Sequence, residues 1–284
     1  MKESEINIEC ADRFLLAGKI YEPEVYKAAV LIAPATGIKK RFYNSFATFL
    51  AQNGYGVLCF ENRGIGSSKQ GKSVNNGEPS LITWGKLDLT AAFQQLKESF
   101  PNTEYHIIGH SAGGQLTGLM DDVSEIKSLF NYASSSGSLS NMTYPFKFQA
   151  SFFLNVFIPL NNLLLGKTNS HWVGMGEPLP KQVAKEWSRW CNGKGYVAVD
   201  FNQNIKDHLY NKITAPSLWV HATDDGIANL ENVKDMVGVY KNSKSEIKTL
   251  VPSENGFKDI GHMKFFSSKY NKLWQHAIDW LESN

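Results

Sequence analysis

Cysteine is scarce. Only Cys10, Cys59 and Cys191 occur in 284 residues. An odd number at wide spacing describes neither a disulfide framework nor a zinc site, so no metal is expected. Charge of one sign is also lacking. There are 29 basic and 27 acidic side chains, and the densest basic cluster is Lys39-Lys40-Arg41. That balance leaves nucleic acid nothing to bind, and none is expected as a partner. The opening residues Met1 to Glu9 mix charge with isoleucine and lack the apolar core of a leader, which makes the cytoplasm the expected location. Long apolar runs are missing too. The most apolar stretch, Phe152 to Leu165, is broken by Asn155, Pro159, Asn161 and Asn162 and falls short of the ~20 residues of a spanning helix. No integral membrane segment is expected, although this stretch could touch a membrane surface or cover an apolar pocket. No internal repeat or low-complexity tract is present.

What remains is a chain of ordinary composition, 42% hydrophobic and 20% charged, long enough for one large domain with an inserted subdomain. Ala28 to Ala33, Tyr55 to Phe60, Tyr105 to Gly109 and Leu129 to Ala133 are short continuous apolar runs, as strands buried on both faces require. Arg13 to Tyr21 reads as extended. Helical spacing over Phe42 to Asn53 and Trp84 to Ser99 separates these strands, and a helix begins directly at Ala112. From about Ser134 to Asn211 the alternation stops, and helical patterns fit Pro145 to Leu165, Pro180 to Cys191 and Phe201 to Tyr210. It resumes with strands at Ser217 to Ala222 and Glu246 to Val251, and helices at Leu230 to Tyr240 and Ser267 to Leu281. The expectation is an α/β fold with a mostly parallel central sheet and helices on both faces. Residues 1–133 and 212–284 would form its core, and 134–211 a helical cap over the carboxyl ends of the strands, where open parallel sheets bind ligands.

The chemistry concentrates at Gly109-His110-Ser111-Ala112-Gly113, a Gly-x-Ser-x-Gly between strand and helix. In that context the serine sits on a sharp turn with its hydroxyl exposed, and the small residues on either side prevent backbone clashes. The N–H of Ala112, at the helix start, points to where an oxyanion would form. A serine hydroxyl needs a base, and the base needs an orienting acid, in the chain order Ser, acid, His. Three histidines lie beyond the cap. His276 falls within the last helix and His221 ends a buried strand, whereas His262 sits in a loop beside Gly261 and is preferred. For the acid, Asp225 is favoured over Asp224, which could instead cap the turn; Asp259 is assigned to loop bonding. The second oxyanion donor would come from Pro34-Ala35-Thr36-Gly37, with the Thr36 N–H first and Gly37 as alternative. Gly37, His110, Trp187 and Trp190 are expected to contact substrate.

These residues resemble the α/β-hydrolase superfamily, specifically bacterial hydrolases near the serine-aminopeptidase and monoacylglycerol-lipase-like group. The resemblance rests on Pro34 to Gly37, the turn Glu61-Asn62-Arg63-Gly64-Ile65-Gly66-Ser67, Gly109 to Gly113, Asp224-Asp225, Gly261-His262, and the cap piece Gly174 to Pro180 with Trp187, Arg189 and Trp190. Two departures stand out. Glu61 replaces the usual aspartate of its turn, and Pro34-Ala35 stands where many relatives have His-Gly. The resemblance implies acyl transfer to water through Ser111, His262 and Asp225, with no cofactor and a small acyl compound as substrate. An ester is favoured by the aromatic cap; a homodimer is compatible with the sequence. Acyl transfer to another acceptor, thioester hydrolysis and a non-catalytic binding module remain as alternatives.

Overall fold

Strands with no polar face need cover on both sides, and the sheet is built around such strands. The computed structural model describes residues 1–69, 79–174 and 176–284; Met175 of the cap piece lies outside them. Strands β1 (Lys2–Glu9), β2 (Leu15–Glu22), β3 (Ala28–Ala33), β4 (Tyr55–Phe60), β5 (Tyr105–His110) and β6 (Ile126–Tyr132) precede the insertion. Within the insertion, β7 (Lys167–Thr168) and β8 (Leu179–Pro180) form a separate two-stranded ladder. Strands β9 (Ser217–Ala222) and β10 (Ser245–Leu250) follow it. The main sheet has the order β1-β2-β4-β3-β5-β6-β9-β10. Every residue of β3, β4 and β5 is buried. These central strands run parallel, as do β6, β9 and β10, while β1 and β2 add an antiparallel edge. Their register pairs Ala33 with Gly109. The loop after β3 therefore emerges beside the turn that carries Ser111.

Strand β1 is absent from the sequence reading. It has period-two spacing, but its inward face carries only two apolar residues, Ile6 and Ile8, against Glu3, Glu5 and Glu9 on the outer face. Residues 201–210, expected as a helix, form none. Phe201 and Ile205 make an isolated bridge, Asn202 takes φ 61°, and His208 stacks on Phe201 with ring centroids 3.9 Å apart. Asn and Asp compete for backbone hydrogen bonds, and here tertiary contacts decide against the helix. The apolar stretch that the sequence breaks at four polar residues lies in a 20-residue helix, Phe146–Leu165. It contains a wider turn at Phe153–Phe157. Together with the helix Lys181–Cys191 it forms the inserted cap.

Candidate active site

The turn after β5 is tightly constrained. Ser111 adopts φ 49° and ψ −111°, a region that a residue with a Cβ occupies only when its surroundings force it. Its N–H donates to the Tyr132 carbonyl at 3.0 Å, and its own carbonyl accepts from Gly114 N at 3.1 Å. A Cβ on Gly113 would lie 2.0 Å from the Ala33 carbonyl oxygen, and one on Gly109 would lie 2.4 Å from Gly114 N. The helix entry is thus pressed directly against the end of β3. Only glycine fits at either flank.

His262 Nε2 lies 3.0 Å from Ser111 Oγ, and His262 Nδ1 lies 2.7 Å from Asp225 Oδ2. An ionised carboxylate only accepts, so Nδ1 carries the proton and Nε2 is left to accept from the serine hydroxyl. Burial opposes the charge on Asp225. The imidazole of His262 and the N–H groups of Ala228 and Ile227 outweigh that opposition and hold its carboxyl below the usual range. Asp224 points elsewhere. Its two oxygens accept from Ile260 N at 2.9 Å and Gly261 N at 3.0 Å, which ties down the loop that presents His262. Asp259 accepts from Lys264 and from the Tyr270 hydroxyl. His221 is buried against Thr249 Oγ1 at 2.8 Å, and the ring of His276 meets Lys248 on β10.

Among the described residues, neither the Thr36 N–H nor the Ala112 N–H donates to a protein acceptor, and Thr36 borders the cavity above Ser111. Beside them runs a chain of hydrogen bonds that the sequence did not reveal. Ala35 N donates to the Tyr43 hydroxyl at 2.9 Å. That hydroxyl lies 2.9 Å from His110 Nδ1, and His110 Nε2 lies 3.1 Å from the His262 carbonyl. A carbonyl can only accept, so the proton sits on Nε2 and Tyr43 donates to Nδ1. Burial pushes the His110 pKa down to about 3, which keeps the ring neutral. The loop after β3 and the loop of His262 are therefore bonded to one another beneath Ser111. Nothing in the spacing of Tyr43 foretold this, since it reads as one more aromatic of an amphipathic helix.

A cavity of about 610 Å³ opens at Ser111 and His262. Phe146, Phe153, Phe157 and Trp187 wall it from the cap, and among the described residues no Asp, Glu, Lys or Arg lines it. Of the four residues expected to contact substrate, only Trp187 is on this wall. His110 is fully buried in the bonding chain just described. Trp190 is also fully buried, three residues along the same helix, with its Nε1 donating to Asp200 Oδ2 at 2.6 Å. Gly37, at φ 73°, turns its carbonyl toward Glu177 N at 2.8 Å. Among the described residues no group of three or more His, Cys, Asp or Glu is placed to hold a metal ion.

A mostly parallel sheet, a strained serine turn after its central strand and a helical cap over the same edge define the α/β-hydrolase fold. Residues 24–173, more than half of the chain, match the family model described as serine aminopeptidase, S33. The chain belongs to that family. No curated protein matches it significantly by sequence. Solved structures share its fold at low identity. One is a thermostable carboxyl esterase from Bacillus coagulans, 14% identical, with a TM-score of 0.64 over 100% of this chain and 99% of that one. Another is an α/β-hydrolase from Penicillium sp. sh18, 15% identical, with a TM-score of 0.62 over the same shares of the two chains. An esterase of Pyrococcus furiosus is 16% identical, with a TM-score of 0.59 over 99% of this chain and 91% of the other.

Proposed function

We propose that this chain is a serine hydrolase that cleaves a carboxylic ester through an acyl-enzyme. The observation that carries the reading is the continuous run of bonds from Asp225 Oδ2 through His262 to Ser111 Oγ, at 2.7 and 3.0 Å. In the proposed reaction Ser111 Oγ attacks the ester carbonyl while His262 Nε2 takes its proton. Asp225 holds the imidazole in the required tautomer and stabilises the imidazolium. The free N–H groups of Thr36 and Ala112 hold the oxyanion. His262 then protonates the departing alcohol, and water, deprotonated by the same nitrogen, releases the acid. No cofactor takes part. The proposed division is a core of residues 1–133 and 212–284 with a cap of 134–211, and Trp187 is the cap residue assigned to substrate contact.

The cavity wall favours an ester over a peptide with a free amino terminus. An ammonium group in an apolar pocket needs a carboxylate partner, and among the described residues none lines this one. The test is hydrolysis of a p-nitrophenyl acyl ester by wild type and Ser111→Ala, with a fluorophosphonate probe alongside. The variant is expected to lose both turnover and labelling while keeping its fold. Undiminished hydrolysis by Ser111→Ala would remove Ser111 from the mechanism.

A further inference from the structure

The cap helix Phe146–Leu165 has two unlike faces. Its inner face is tied into the protein. Leu154 and Ile158 are buried, Asn161 Oδ1 accepts from Asn169 N at 3.2 Å, and Asn162 Nδ2 donates to the Lys181 carbonyl at 3.1 Å. Its outer face is apolar and bare. Phe148, Phe152, Val156, Leu160, Leu163 and Leu164 follow one another at spacings of four, four, four, three and one. Leu163 and Leu164 are 80% and 75% exposed, and Phe148 is 68% exposed. Among the described residues this is the one helix long and apolar enough to cross a membrane, yet its inner bonds hold it to the cap. A contiguous apolar stripe of this kind marks an interaction surface.

Three observations identify what covers it. First, residues 126–176 contain no Asp or Glu at all, while Lys147 and Lys167 bracket the stripe. Lys181 and Lys185 stand on the next helix, and among the described residues none of these four lysines makes an ion pair. Second, Tyr144 and Trp172, 76% and 63% exposed, flank the helix, and such amphipathic rings favour the headgroup level of a bilayer. Third, Phe148 and Phe152 belong both to the stripe and to the edge of the cavity. A second copy of the chain would fit poorly. A twofold contact sets the same patch against itself, so Lys147 and Lys167 would face lysines with no Asp or Glu of residues 126–176 to meet them.

We propose that the outer face of Phe146–Leu165 docks on the surface of an anionic phospholipid bilayer, with the mouth of the cavity held against the lipid. The helix lies in the interface rather than across it, with its apolar side ~5–10 Å into the acyl boundary and its lysines among the phosphates. The docking stands independently of the hydrolase reading. Only its consequence rests on that reading: the ester enters the cavity from the lipid phase past Phe148 and Phe152.

The test is co-sedimentation of the full chain with vesicles of phosphatidylcholine alone and of equimolar phosphatidylcholine and phosphatidylglycerol. Wild type is expected to pellet with the mixed vesicles and far less with the neutral ones. Leu163→Asp/Leu164→Asp should lower that partitioning by about a hundredfold, as removing two leucines from an apolar phase predicts. The same variant should keep its p-nitrophenyl ester hydrolysis, because neither residue borders the cavity. Lys167→Glu/Lys185→Glu, two exposed changes, should lower binding to mixed vesicles by about tenfold or more and leave neutral vesicles unaffected. Absence of wild-type binding would overturn the proposal, and so would binding undiminished in both variants. A dimer that the leucine variant disperses, without vesicle binding, would assign the face to a second copy instead. Loss of esterase activity in Ser111→Ala with vesicle binding intact separates the two readings.

Discussion

Asp224 and Asp225 are neighbours of identical chemistry, and the end of β9 turns them apart. Asp225 accepts from His262 Nδ1, whereas Asp224 accepts from the backbone two and one residues before that histidine. Asp225→Asn is expected to lower kcat by about four orders of magnitude, by analogy with a protease acid. Asp224→Asn should act mainly through loop placement and cost far less. Steady-state kinetics on one ester checks the ranking, and the opposite order would exchange the two roles. The carboxyl of Asp225 is held below its usual range. It therefore contributes stability above the unfolded pKa of about 4 that is lost as pH falls through the lower, folded value. Denaturant unfolding of wild type and Asp225→Asn should diverge less below that range than above it. The Tyr43 hydroxyl presents a second case. Tyr43→Phe would leave Ala35 N and His110 Nδ1 buried without partners, at about 1–3 kcal/mol for each group. The expected kinetic signature is a fall in kcat with little change in KM, since both bonded loops carry proposed transition-state contacts. An equal loss in a variant of an unrelated buried tyrosine would reduce the effect to general destabilisation.

The elements differ in how openly the sequence announces them. Strands β3, β4 and β5 are legible because burial on both faces leaves an uninterrupted apolar run. The serine turn is legible because its glycines are sterically compelled. Ser111, Asp225 and His262 could each be picked out by their place at a strand end or in a loop, although their convergence required coordinates. Trp187 and Trp190 could not be told apart. Three residues separate them on one amphipathic helix, and only the position of Asp200 decides which ring turns inward. Arg63 shows a similar limit. Its guanidinium is buried between Asp12 and Asp88, partners 51 and 25 residues away that no local pattern connects. At this scale the sharpest prediction concerns the join between β3 and the helix entry. Gly113→Ala places a methyl within 2.0 Å of the Ala33 carbonyl oxygen, and a backbone atom cannot yield as a side-chain tip can. A loss of about 3 kcal/mol or more, or failure to fold, is expected. An unaltered unfolding midpoint would show that the two elements are less closely apposed.

For the molecule as a whole, acid sensitivity should begin above the carboxylate range. Burial pushes the pKa of His106 down to about 4 and that of His110 to about 3. Below about pH 6.5 the unfolded chain takes up protons that these two rings refuse, so stability falls with pH. At pH 5 the cost is about 2 kcal/mol for each ring. Asp88 works in the opposite direction. Burial pushes its carboxyl up to about 7 despite Arg63, so the folded state binds its proton first and gains as pH falls. The informative comparison is therefore between wild type and His106→Gln. The stability difference between pH 7 and pH 5 should shrink in the variant, and an identical difference would mean that the ring is already charged when folded.

A cavity with no Asp, Glu, Lys or Arg among its described lining residues would also give the proposed reaction a direction. In that reaction a neutral ester would rest against Phe153 and Phe157, whereas the acid released from it would ionise at neutral pH. Hydrocarbon walls offer a carboxylate no solvation, and Lys147 and Lys167, which make no ion pair among the described residues, stand outside the lining. The proposed chemistry would thus convert a welcome guest into an unwelcome one, and the site would empty by the polarity just created.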